Sequence, residues 1–148
     1  MKQYPDFGKW LTYIESVKSA TGIRKGVLDN TPTEAEYANM ARLYKAVYEP
    51  LCNHYGFKLP VTSFFRNKAT NRAVGGSKTS DHLNGNAIDI DCDGLRSLTN
   101  NQLFDYAKNN LDFHQIIEEY PDANGKPSWI HLSYRGAGKN RKQVLTIG

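Results

Sequence analysis

Two short stretches, FHQIIEEY (residues 113–120) and SWIHLSY (128–134), flank the turn-rich PDANGKP. Both are rich in β-branched and aromatic residues, and Pro, Asp, Asn and Gly packed between such runs mark a β-hairpin. If the turn sets residue 119 opposite 129, then 117 faces 131 and 115 faces 133. Gln115 and Glu119 then share a surface with His131 as diagonal neighbours ~7 Å or less away. Trp129, His131 and Ser133 alternate onto that same face. A slip of one residue in the pairing would put Glu118 there in place of Glu119.

A second strand is written in NAIDID (86–91), which alternates strictly, with Ala87, Asp89 and Asp91 on one face and Ile88 and Ile90 on the other. Ahead of it lies RNKATNRAVGGSKTSDHLNGN (66–86), polar and without apolar period, which reads as a long loop of a length that is usually functional or disordered. Its Gly-Gly resembles a phosphate-cradling nest, but no GK[ST] helix follows, which argues against nucleotide binding. VTSFF (61–65) favours a further strand.

Helices are predicted at three places. Trp10, Leu11, Ile14 and Val17 recur at helical spacing and predict a short first helix with an inward face, followed by a loop. In TPTE, Thr31 stands as N-cap, Pro32 at the first helical position and Glu34 at the capping-box position. The apolar period from Tyr37 to Leu51 carries that helix about four turns, until Pro50 kinks or ends it. Thr99 and Gln102 form another capping box before Leu103, Tyr106, Ala107 and Leu111.

The 148 residues are 39% hydrophobic and 23% charged, within the globular range, and suit a single domain over residues 1–148. Its basic end, from about 135, reads as a flexible exit with room for a last short strand. Two cysteines, Cys52 and Cys92, form neither a CxxC pair nor a disulfide ladder, so a reducing compartment is the default. MKQYPDFGKWLTYIES interrupts the apolar run a signal peptide needs, and no segment approaches 18 apolar residues. That points to a cytoplasmic chain without a membrane span. The net charge of +4 and pI near 9.0 come from dispersed cations, with one cluster, KNRK (139–142). With no basic helix or aromatic platform beside them, nucleic acid is not the expected partner.

His82, Asp89 and His131 together have the chemistry of a catalytic zinc site, which takes three protein donors and keeps one position open. Gly85 can reverse the chain between His82 and the strand, and small Ala87 leaves room beside Asp89. Such a site also needs a base for the water proton. Glu119, across the hairpin from Trp129, is the candidate. Asp81, Asp91 and Gln115 could orient the imidazoles from behind, whereas His54, with no motif around it, reads as structural.

At this point the chain resembles a family. SDHLNGNAID fits S-x-H-x-x-G-x-A-x-D, the pattern of the zinc D-alanyl-D-alanine carboxypeptidases and phage cell-wall endopeptidases (peptidase family M15), at Ser80, His82, Gly85, Ala87 and Asp89. SWIHLSY resembles the family's W-[IV]-H-[VIL]-S strand. DNTPTEAEYANMARLYKAVYEPL, TSFFRNKATNRAVGGSKTSDH and FHQIIEEY are similar, in the same order, to segments of its small phage and bacterial branch, so the likeness covers roughly residues 19 to 134. The resemblance implies zinc ligation by His82, Asp89 and His131, and substrate contact by Ser80, with Gln115 and Trp129 beside it. It further implies that Arg66 stabilises charge on the attacked carbonyl and that Glu119 is the base. Ser128 departs from members that carry the catalytic acid three positions before the second His, and His114 stands where the branch usually has Asp.

The expected fold is therefore α+β, of the kind shared by D-alanyl-D-alanine peptidases and the Hedgehog signalling domain: a small antiparallel sheet with helices on one side. The expected activity is zinc-dependent hydrolysis of peptidoglycan peptides, as a carboxypeptidase or an endolysin-type endopeptidase, by a monomer. Release to the wall through a pore, or carriage in a virion, would fit a phage-encoded chain. The alternative is a zinc-holding, non-catalytic wall-binding module on the same scaffold.

Overall fold

The computed structural model describes residues 2–148. Along the chain run α1 (Tyr13–Ser16), α2 (Ala20–Arg24), α3 (Glu34–Leu43), a π-helical segment (Tyr44–Tyr48), α4 (Glu49–Tyr55), β1 (Val61–Ser63) and α5 (Lys68–Val74). A 3-10 turn (Asp81–Asn84), β2 (Ala87–Ile90), α6 (Asn100–Asn110), β3 (Gln115–Glu119), β4 (Trp129–Ser133) and β5 (Gln143–Ile147) complete it. Among the described residues, no helix is long and apolar enough to cross a membrane.

The hairpin pairs β3 with β4 antiparallel in the register that places Glu119 opposite Trp129, Ile117 opposite His131 and Gln115 opposite Ser133. On its other side β4 pairs with β2, which sets Asp89 opposite His131. The strand order is β1-β2-β4-β3-β5. Because successive side chains alternate across a strand, Ile88, Ile90, Ile116, Ile130 and Leu132 form one face. They are buried with Met40, Leu43, Val47, Leu51 and Leu103 of the helical layer in a single cluster. Each such side chain contributes about 1.5–3 kcal/mol of transfer free energy. The opposite face is left for Ala87, Asp89, His131, Gln115 and Glu119.

The sheet is mixed and not wholly antiparallel as expected, because β5 joins β3 in parallel along its full length. Both edges of β4 are taken by β2 and β3, so the returning chain can add only at an outer edge. There it covers the main-chain donors and acceptors that β3 would otherwise expose. The C-terminal stretch is thus no flexible exit. Arg135 Nη2 donates to Asp81 Oδ1 at 3.0 Å, and the Asn140 amide donates to Asp112 while its oxygen accepts from Arg135 N.

Three helical expectations shift. The N-cap of α3 is Thr33, with Glu36 as its capping-box partner; TPTEAE satisfies the motif in two registers, and the later one puts both Glu34 and Glu36 in the first turn, where carboxylates favour the helix dipole. Pro50 does not end the helix. The π-helical segment widens the turn just ahead of it, with Glu49 N donating to Tyr44 O, and helix resumes to Tyr55 before Gly56 caps it at φ +77°. That widening accommodates a ring that would collide with an ordinary preceding turn. The first helix is a single turn, capped by Thr12 and Glu15. Ile14, assigned to its inward face, is 62% exposed.

The long polar segment also holds more structure than expected. Asn67 accepts from Thr70 N and starts α5, and Ser19 likewise caps α2 inside what read as a loop. Cys52 and Cys92 are both free and buried. His54 stacks on Tyr106, ring centroids 3.7 Å apart, as a structural residue should.

Candidate metal centre and active-site cleft

The sheet face opposite the core forms the floor of an open cleft of about 600 Å³. Its walls come from the loop after α5, the 3-10 turn and the end of β5. His82 arrives on the 3-10 turn, whose first orphan amide is satisfied by Ser80 Oγ accepting from His82 N. Gly85 then turns the chain at φ +75° into β2. A Cβ there would lie 2.5 Å from the Glu36 carbonyl and 2.7 Å from Met40 Cγ, so the turn is pressed against α3 and a side chain at 85 would force a neighbour to move.

His82 Nδ1 lies 2.6 Å from the Phe64 carbonyl oxygen. A carbonyl can only accept, so Nδ1 carries a proton and Nε2 is the nitrogen turned toward Asp89. Nε2 is buried, has no hydrogen-bond partner, and lies 3.2 Å from Asp89 Oδ1. His131 Nδ1 approaches the same oxygen to 3.0 Å. The three residues offer donor atoms all within 4.8 Å of one another. Burial would by itself raise the Asp89 pKa, but the His82 and His131 imidazoles beside it hold the carboxyl well below the usual carboxylate range.

Arg66 lies alongside. Its Nε donates to Ser63 Oγ at 2.9 Å, Nη1 to Asn71 Oδ1 at 3.4 Å and Nη2 to Asp89 Oδ2 at 3.3 Å. Burial pulls its pKa down, against the pull of Asp89 and Glu119 upward. Glu119 lines the same cleft as His131, while Glu118 points away and accepts from Thr146 Oγ1 on the neighbouring strand. Burial raises the Glu119 carboxyl pKa, with Asp89 adding to the rise and His131 and Arg66 opposing it. Ser80, Gln115 and Trp129 also line the cleft.

The family model for Peptidase M15 matches residues 9–133. The chain belongs to peptidase family M15. No curated protein matches it. M15 peptidases are metal-dependent, and the His82, Asp89 and His131 group of this one could bind a metal.

The donor set fits such an ion. Nitrogen and oxygen ligands about 2.0–2.1 Å from a tetrahedral centre stand roughly 3.3 Å apart, and the two measured separations, 3.0 and 3.2 Å, approach that edge. The buried His82 Nε2, aimed at a carboxylate oxygen, has no hydrogen-bond partner.

The partners expected behind the imidazoles differ from those found. Asp81 is paired with Arg135, and Asp91 Oδ1 accepts from Asn100 Nδ2 at 3.0 Å. The Phe64 carbonyl orients His82 instead, a main-chain contact with no signature in residue type. Gln115 Nε2 donates to Gln143 Oε1 at 2.7 Å, which ties the cleft floor to β5. Ser128, the departure from the usual acid position, donates to the Tyr120 carbonyl and closes the hairpin end. His114 is 2% exposed and its Nδ1 has no partner. Sequence reasoning did not find Ser63, Asn71 or Arg135, whose partners lie 3, 5 and 54 positions away and follow no motif.

Proposed function

We propose that the protein is a zinc peptidase that hydrolyses a peptide bond in peptidoglycan stem or cross-bridge peptides. The observation that carries the reading is the convergence of the three donor atoms with Glu119 on one face of an open cleft. Bound by His82, Asp89 and His131, zinc would supply a Lewis acid that polarises a peptide carbonyl and brings the pKa of a water near neutrality.

The rest is work for the chain. Glu119, half-buried and with a raised pKa, would take the proton of the attacking water and return it to the leaving amine. Arg66 uses three N–H groups on the protein, so two of its five remain to meet negative charge growing on the carbonyl oxygen. A donor in such a site contributes about 2.7–4 kcal/mol to the transition state. Ser80, Gln115 and Trp129 along the cleft would hold the peptide, with Trp129 offering an apolar surface braced by Tyr120, ring centroids 5.4 Å apart.

Purified peptidoglycan and short D-Ala-terminated peptides, incubated with the protein with and without a chelator and resolved by mass, test the reading. Chelator-sensitive products are expected. E119Q should stop turnover while zinc remains bound, because the amide cannot accept the proton; full activity in that variant would remove Glu119 from the mechanism. Zinc uptake and wall binding without any product would favour the non-catalytic module.

A further inference from the structure

We propose that Asn71 and Ser63 are positioning residues that hold Arg66 against Asp89, and that this leaves Asp89 one oxygen, Oδ1, to offer a metal. The proposal rests on the metal reading above and deepens it. The two oxygens of Asp89 face different partners. Oδ1 stands 3.0 Å from His131 Nδ1 and 3.2 Å from His82 Nε2, while Oδ2 receives Arg66 Nη2 at 3.3 Å. A carboxylate with both oxygens free can chelate an ion. One whose second oxygen holds a guanidinium gives up a charge-assisted hydrogen bond in doing so, inside a site where Asp89 is 5% exposed.

The direction of Arg66 is itself fixed. A guanidinium is a rigid planar fork, so anchoring two of its nitrogens aims the third. Ser63 Oγ anchors Nε and Asn71 Oδ1 anchors Nη1. Asn71 cannot turn its amide over without loss, because its Nδ2 donates to the Ser77 carbonyl at 2.9 Å and the residue is 4% exposed. Gly76 donates its N–H to the Asn71 carbonyl at 2.9 Å. A Cβ at Gly76 would sit 2.1 Å from Asn71 Oδ1 and 3.0 Å from Arg66 Nη1. The Gly-Gly of AVGGSKTS therefore has a use unrelated to phosphate. Gly75 turns α5 off at φ +74°, and Gly76 lets the chain pass close enough to leave the Asn71 to Arg66 contact intact.

The consequence is chemical. A single-oxygen carboxylate keeps the coordination number at three protein donors and leaves room for both water and a carbonyl oxygen. Cobalt(II) in place of zinc reports this, since its visible absorption per bound ion weakens as coordination rises above four. N71L and G76A should each lower the molar absorption by about twofold as Asp89 swings to chelate, because geometry sets the spectrum. S63A should show the same loss, and S63T, which keeps a hydroxyl acceptor for Nε, should retain the parent spectrum. R66Q, which removes the guanidinium altogether, should show the full spectral change. The spectrum is normalised to bound cobalt, so a variant that folds poorly still reports. Parent-like spectra for N71L and G76A, or a change in S63T as large as in S63A, would overturn the proposal. A parent protein that takes up no cobalt would overturn the metal reading and this proposal together.

Discussion

Replacing Gly85 by Ala should destabilise the protein far more than the same change at Gly56, although both residues have nearly the same left-handed backbone, φ +75° and +77°. That backbone alone costs a residue with a Cβ about 1–2 kcal/mol. At Gly56 nothing lies within 4 Å of the added carbon, so the cost stops there. At Gly85 the carbon would lie 2.5 Å from the Glu36 carbonyl and 2.7 Å from Met40 Cγ. Met40 can repack, but the carbonyl belongs to the first turn of α3 and can move only with the helix. Displacing packed backbone adds about 1–3 kcal/mol. At about 2–4 °C per kcal/mol for a chain of this size, G85A should lower Tm by roughly 10 °C and G56A by roughly 4 °C. Thermal unfolding of the metal-free proteins, followed by circular dichroism, measures both. Gly85 N also donates to the His82 carbonyl, so zinc affinity, titrated well below Tm, should fall in G85A and not in G56A. Equal losses of Tm in the two variants would refute the close packing of the turn on α3.

Other outcomes follow from the same site. Burial raises the Glu119 pKa above its ordinary 4.5, so its protonated form is favoured by folding. The stability it contributes is fully present below pH 4.5 and is lost as pH rises through the folded value. E119Q should therefore raise the Tm of the chelated protein at pH 7, and the gain should vanish near pH 4; a lower Tm at pH 7 would contradict the sign. His114 runs the opposite way, since burial first, then Arg135 and Arg141, depress its pKa below 6.5. Its contribution is present above pH 6.5 and lost as pH falls through the depressed value, so H114Q should flatten the decline of Tm on acidification from pH 7 to 5. Zinc at a thousandfold excess over Kd adds about 4.1 kcal/mol of stability. Chelation should remove that gain in the parent, while H131A should show no response to zinc.

The parts of the molecule legible in the sequence are those whose cause is local. The β3–β4 register follows from a turn of fixed length and a two-residue period, which is why Gln115, Glu119 and Trp129 fall on the face of His131 as the spacing requires. The α6 capping box is equally local. Thr33 displaced Thr31 at α3 because two overlapping capping motifs compete within six residues, and the later one also brings both Glu34 and Glu36 into the first turn. Strand β5 was half visible: its β-branched residues permitted a strand, but its parallel partner was unreadable, since nothing in QVLTI specifies which edge is free.

The site divides along the same line. The candidate donors are readable because metal chemistry restricts residue types, and turn and strand geometry restricts their spacing. The residues that aim those donors are not. The Phe64 carbonyl carries no residue signal at all, because any amino acid would present it. Asn71 and Gly76 sit in a segment whose lack of apolar period made it look like loop. It lacks that period because α5 buries Thr70 and Asn71 where a core helix would bury Leu or Ile. A helix that packs an amide inward against an arginine cannot show a hydrophobic stripe there. Polar stretches of this kind should hide structure wherever the thing to be packed is a charged site and not an apolar core.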